Sequence, residues 1–176
     1  MDLQLIPLPQ ADIPQFKRDM QLSFQMGALA AFPDLREEIL PESHIDLALA
    51  APGARAYAAL VGGEMVGGAI LDLNPDTARG ELAFLYVRYG VQSKGVGQAI
   101  WSGIEALHPE IRRWETCTPY FETRNIHFYV NRCGFRIIRF YHKGFPDPHM
   151  AQMPDDLPEE DSGYFDGMFL FEKVLE

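Results

Sequence analysis

The chain has 176 residues, 47% of them apolar, and a net charge of −10. That suits a single domain over residues 1–176 with a real core. A chain this acidic repels nucleic acid and anionic membrane, and it is compatible with a cationic substrate such as an amine. No apolar run approaches the ~18 residues of a membrane span, and the N-terminus has no basic stretch leading into an apolar one. Cys117 and Cys133 lie outside any C-x-x-C pattern, and no His pair has zinc-ligand spacing. A soluble protein of the reducing cytoplasm, with no bound metal and no membrane contact, is expected.

Residues 3–8, LQLIPL, read as a first strand. Over residues 10–31, Ile13, Phe16, Met20 and Phe24 recur at spacings of three, four and four, which gives a helix one apolar face. Pro14 suits its first turn. Phe32-Pro33-Asp34 breaks it, and a shorter helix over 42–49 follows Pro41. Residues 55–61 form a strand, Gly62-Gly63 a hairpin turn, and residues 65–73 the partner strand, in which Gly67 and Gly68 mark a bend or bulge. After a turn over 74–80, residues 81–87 carry apolar side chains on both faces, as a strand covered on both sides does.

Gln92-Ser93-Lys94-Gly95-Val96-Gly97 then opens a helix over 95–107, with Ile100, Ile104 and Leu107 at helical spacing. Glycines at a helix start let a ligand approach the backbone. The first-turn N–H groups point outward and, with the helix dipole, suit a phosphate. Lys94 adds a mobile charge. Three better-known loops fit poorly. A P-loop spaced on Gly90 and Gly95 meets Val96 and Gly97 where Lys and Ser/Thr are needed. A dinucleotide fingerprint meets Ile100 in place of its third glycine, although Glu115 lies about where its ribose acid would fall, so that reading is weakened and stays open. A G-x-S-x-G elbow meets Val91, so Ser93 is no nucleophile of that type.

Pro109 stops the helix, and residues 112–118 form another strand. In the helix that follows, Thr123 caps the start, Phe128 faces the core, Asn125 and Tyr129 share a face, and Gly134 takes the left-handed position at the end. Residues 135–142 return as a strand. Residues 143–163 hold four prolines and six acids, and read either as a solvated loop or as a lid whose acids attract an amine. Residues 165–174 close the chain as a strand.

Gln92, Gly95 and Gly97, after a strand ending Leu85-Tyr86-Val87, match the pattern Q/R-x-x-G-x-G/A. Phe128, Tyr129, Gly134 and Phe135 are read as a later F/L-Y-x-x-x-G-F motif. With both, the sequence resembles the GNAT superfamily of N-acetyltransferases over residues 55–142, and more loosely before that. The resemblance implies an α/β (α+β) fold: a mixed, mostly antiparallel sheet of about seven strands flanked by about four helices, with the fourth and fifth strands splayed to admit acyl-CoA. It implies acetyl-CoA as co-substrate. The main chain of Leu85, Tyr86 and Val87 would polarise the thioester and bind the pantetheine arm, and Gln92, Ser93, Lys94, Gly95, Val96, Gly97 and Gln98 would cradle the diphosphate. Asn125 would contact the arm, and Tyr129 would protonate the departing thiolate. Glu81 is the base by analogy with members that acetylate histone lysines, if burial raises its pKa, and Glu115 is the other candidate. Many members use a water chain instead. Lys94 and Arg88 would meet phosphates or solvent, Cys117 would be a small buried hydrophobe, and His127 a packing or surface residue.

The expected activity is transfer of an acetyl group to a primary amine of a small molecule or peptide by direct attack. The rival is a non-catalytic acyl-CoA-binding module of the same fold. Homodimers are common in the resembled family.

Overall fold

The computed structural model describes residues 1–91, 95–148 and 167–176. Among these residues, seven strands and four α-helices follow the expected order. They are β1 (Leu3–Pro7), α1 (Ile13–Ala31), α2 (Glu42–Ala50), β2 (Ala54–Val61), β3 (Glu64–Asn74), β4 (Arg79–Val87), α3 (Val96–Leu107), β5 (Arg113–Pro119), α4 (Thr123–His127), β6 (Arg136–Tyr141) and β7 (Met168–Val174). A π turn, Phe128–Arg132, continues α4. The strands make one mixed sheet in the order β1-β2-β3-β4-β5-β7-β6. Among the described residues, no helix is long and apolar enough to cross a membrane. The chain clusters into two compact units, residues 1–114 with 174–176, and residues 115–173.

In the first unit β1, β2, β3 and β4 pair antiparallel in succession. Gly62 and Gly63, at φ 58° and 82°, make the two-residue turn between β2 and β3. The next two glycines matter for a different reason. A Cβ on Gly68 would lie 2.4 Å from Phe16 Cε2 of α1, and one on Gly67 would lie 2.4 Å from the Tyr86 carbonyl oxygen and 3.1 Å from Ile100 Cδ1 of α3. Successive strand residues point to opposite faces, so α1 and α3 lean on opposite faces of β3 where it lacks side chains. The expected irregularity is next door: the β2–β3 register passes from Ala59–Gly67 to Leu60–Met65 and skips Val66.

The spacing read for α1 holds. Phe16 and Met20 are fully buried, Phe16 meets Tyr86 edge-on at 5.2 Å, and Phe24 meets Phe84 edge-on at 5.9 Å. Leu40, Ile45 and Ile70 complete this cluster. On α3, Ile100, Trp101 and Ile104 are buried, and Trp101 packs edge-on against Trp114 at 5.2 Å.

In the second unit β6 pairs antiparallel with β7. Its core is aromatic: Tyr129 lies 5.6 Å from Phe135 and 5.4 Å from Phe171, ring to ring. Three expectations change here. Thr123 is not a cap; it is the first helical residue, and Thr123 N–H donates to the Phe121 carbonyl at 2.8 Å instead. Tyr129, not Phe128, takes the buried position, and Phe128 is half-buried. Finally, four residues separate Tyr129 from Gly134, where the motif has three. The extra residue is absorbed by the π turn, in which Cys133 N–H donates to the Phe128 carbonyl five residues back at 3.0 Å. Gly134 then ends the turn at φ 80°, as expected.

Candidate active site

The first unit supplies a strand and a helix start. The β3–β4 register passes from Ile70–Phe84 to Leu71–Leu82, so Ala83 is an extra residue on β4. Beyond it Leu85, Tyr86 and Val87 face Ala69, Gly68 and Gly67. An antiparallel ladder spends alternate residues on each side. Arg88 N–H donates to the Val66 carbonyl at 2.9 Å. Tyr86, two positions earlier, therefore directs its own N–H and C=O to β3, whereas Leu85 and Val87 direct theirs away from it. The sequence treated the three alike; the ladder turns the main-chain groups of two of them away from β3.

The Tyr86 side chain is committed elsewhere. It is 3% exposed, and its hydroxyl donates to Met65 Sδ at 3.5 Å. Burial, then the nearby Asp19 carboxylate, push its phenol far above the usual range. Asp19 itself is buried: Gln15 Nε2 donates to Oδ1 at 2.6 Å, while Oδ2 has no hydrogen-bond partner among the described residues. Ser23 Oγ, one turn on, accepts from Tyr89 N–H at 3.1 Å and so ties α1 to the residues just after β4.

Gly95 stands at the N-cap of α3 with φ 102°, a conformation that only glycine takes at little cost. A Cβ there would meet nothing within 4 Å among the described residues. Among the described residues no side chain caps the helix, and its first turn holds no acid, an arrangement that suits an anion. Val96 anchors the turn at 2% exposure, while Gly97 and Gln98 are half-buried. Gln92, Ser93 and Lys94 lie outside the described residues, as does 149–163 of the acidic loop.

Other expected contacts fall differently. Arg88 Nη2 pairs with Glu64 Oε1 at 2.7 Å, which competes with any phosphate role. Glu81 is exposed on β4 opposite Asp72, so the desolvation on which its assignment as base rests is missing. Glu115 is half-buried on β5.

In the second unit, β5 alternates sharply. Thr116 and Thr118 are each 3% exposed, and Cys117 between them is exposed. The buried hydrophobe expected at Cys117 is therefore Cys133 instead. Asn125 Nδ2 donates to Thr118 Oγ1 at 3.3 Å. Tyr129, one turn further, hydrogen-bonds to the Thr116 side chain. Asn125 and Tyr129 do share a face, and that face meets the two threonines. Burial pushes the Tyr129 phenol up to about 12, and the Thr116 hydrogen bond works against that rise. His127 is exposed and paired with Asn131 Nδ2 at 2.9 Å. The sequence reading missed Thr116 and Thr118, although T-x-T in a strand places both on one face.

The sequence matches the model of the acetyltransferase (GNAT) family over residues 17–135. It is 37% identical over 170 residues to the uncharacterized protein YrkN of Bacillus subtilis (strain 168), covering 95% of this chain and 90% of that one. Among solved structures, it is similar to a GNAT family acetyltransferase from Elizabethkingia anophelis with acetyl-CoA bound, at 21% identity and a TM-score of 0.67, covering 99% of each chain. PaiA N-acetyltransferase from Thermoplasma acidophilum in complex with coenzyme A gives 15% identity and a TM-score of 0.67, again over 99% of each chain. These two likenesses speak to the fold; the sequence match speaks to descent, and the chain belongs to the acetyltransferase (GNAT) family.

Proposed function

We propose that the protein is an acetyl-CoA-dependent N-acetyltransferase that acts on a primary amine of a small molecule or peptide by direct attack. The observation that carries the reading is the start of α3, where Gly95 at φ 102° is the N-cap and no described side chain caps it, in the element after the strand whose Leu85 and Val87 main chain turns away from β3. Relatives of the same fold crystallised with acetyl-CoA or coenzyme A support the choice of donor.

The amides of Gly95, Val96, Gly97 and Gln98 hold the diphosphate, with Gln92, Ser93 and Lys94 completing the cradle. Leu85 and Val87 take the pantetheine arm and polarise the acyl carbonyl; Tyr86 keeps that strand in place. Asn125 orients the arm, and Tyr129 gives its proton to the thiolate as the tetrahedral adduct collapses. The amine must be neutral when it attacks. Glu81, being exposed, receives its proton through water and not by direct contact.

Two measurements test this. Calorimetry should show binding of acetyl-CoA and not of NAD. Thiol release over a panel of primary amines should show turnover with at least one of them. Binding without any acetyl transfer would leave an acyl-CoA-binding module in its place.

A further inference from the structure

As a proton donor, Tyr129 is a buried phenol that must be aimed and made to part with its proton. Tyr129 is 8% exposed and sits in a π turn, with its ring fixed by Phe135 and Phe171. Its hydroxyl hydrogen-bonds to Thr116, itself 3% exposed on β5. One turn back the same face is held by Asn125 on Thr118 at 3.3 Å. Two helix positions four apart thus register on two strand positions two apart. A buried threonine with its hydroxyl on a buried tyrosine is an odd choice for packing alone, since valine fills the same volume with no polar atom to satisfy.

We propose that Thr116 is the positioning residue of the proton donor: its hydroxyl donates to Tyr129 Oη, fixes the direction of the phenol, and stabilises the phenolate left when the thiolate takes the proton. The inference rests on Tyr129 acting as the acid. The donor sense follows from the chemistry, because the phenol must keep its own hydrogen for the sulfur. In the step the Tyr129 O–H bond breaks and an S–H bond forms. The negative charge moves from sulfur to Oη, and water returns a proton to the phenolate afterwards. A hydrogen bond to the charged form favours that form, the sense in which Thr116 opposes the burial of Tyr129.

The test is a double-mutant cycle on the whole chain, with kcat and the KM for acetyl-CoA read by thiol release. Thr116→Val should lower kcat about tenfold, the size of one hydrogen bond to a charged group, with KM unchanged. Thr116→Ser should keep most of the activity. In a Tyr129→Phe background, Thr116→Val should cost nothing further, because its partner is already gone. The proposal is overturned if Thr116→Val costs as much in that background as in the wild type, if it leaves kcat unchanged, or if Thr116→Ser fails as badly as valine. If Tyr129→Phe alone leaves kcat unchanged, the acid assignment fails first and takes the proposal with it. Urea midpoints equal to wild type for the serine and valine variants keep folding out of the comparison.

Discussion

Two residues decide the proposed chemistry, and each has its own signature. Tyr129→Phe removes one hydroxyl from a packed ring, so kcat should fall about a hundredfold while acetyl-CoA binding by calorimetry stays put. Gly95→Ala should do the opposite. An L-residue forced to φ 102° costs about 1–2 kcal/mol. The strain falls on the cradle, so the KM for acetyl-CoA should rise about tenfold with kcat nearly kept. Glu81 is the weak case. Since it is exposed, Glu81→Gln should lower kcat by no more than about threefold, well below the usual effect of a positioned base. Tyr129 also makes a pH prediction. Its pKa is raised from 10.0 in the unfolded chain to about 12 in the fold. Its contribution to stability is therefore whole below pH 10 and lost as pH rises from there to 12, because only the unfolded chain releases the proton in that window. Urea midpoints followed through that window should fall less steeply in Tyr129→Phe than in the wild type.

At the scale of elements, the pair Gly67 and Gly68 sets how closely two helices approach one strand. Gly68→Ala pushes against both Phe16 Cε2 at 2.4 Å and the Tyr57 carbonyl at 2.5 Å, and backbone cannot step aside. It should cost about 1–3 kcal/mol in urea unfolding. Gly62→Ala meets nothing within 4 Å and carries only the strain of its turn, so it should cost less than Gly68→Ala. The sequence already contained the strand, turn and helix around residues 81–107, because apolar periodicity and glycine act locally. It gave Gly134 its left-handed role for the same reason. It misread Gly67 and Gly68 in part, since what forbids a side chain there sits on other elements. It placed Cys117 inside because thiols are usually buried, against a strand alternation that puts Trp114, Thr116 and Thr118 on the other face. The widened turn at Phe128–Arg132 was visible only as one residue too many between Tyr129 and Gly134.

At the scale of the molecule, the net charge of −10 should act on the acceptor before any contact is made. A cationic amine is drawn in over a screening length of about 10 Å at 0.1 M salt and about 3 Å at 1 M. Its KM should rise with ionic strength, and that of a neutral acceptor should not. Among the described residues, the two compact units each carry one buried tyrosine, Tyr86 in one and Tyr129 in the other. In a rapid jump to alkali, exposed phenols such as those of Tyr89 and Tyr120 ionise at once, whereas these two wait for their surroundings to open. Their delayed absorbance is a native clock for each unit. With Tyr86 or Tyr129 replaced in turn by phenylalanine, the surviving slow phase times the opening of one unit without any attached label.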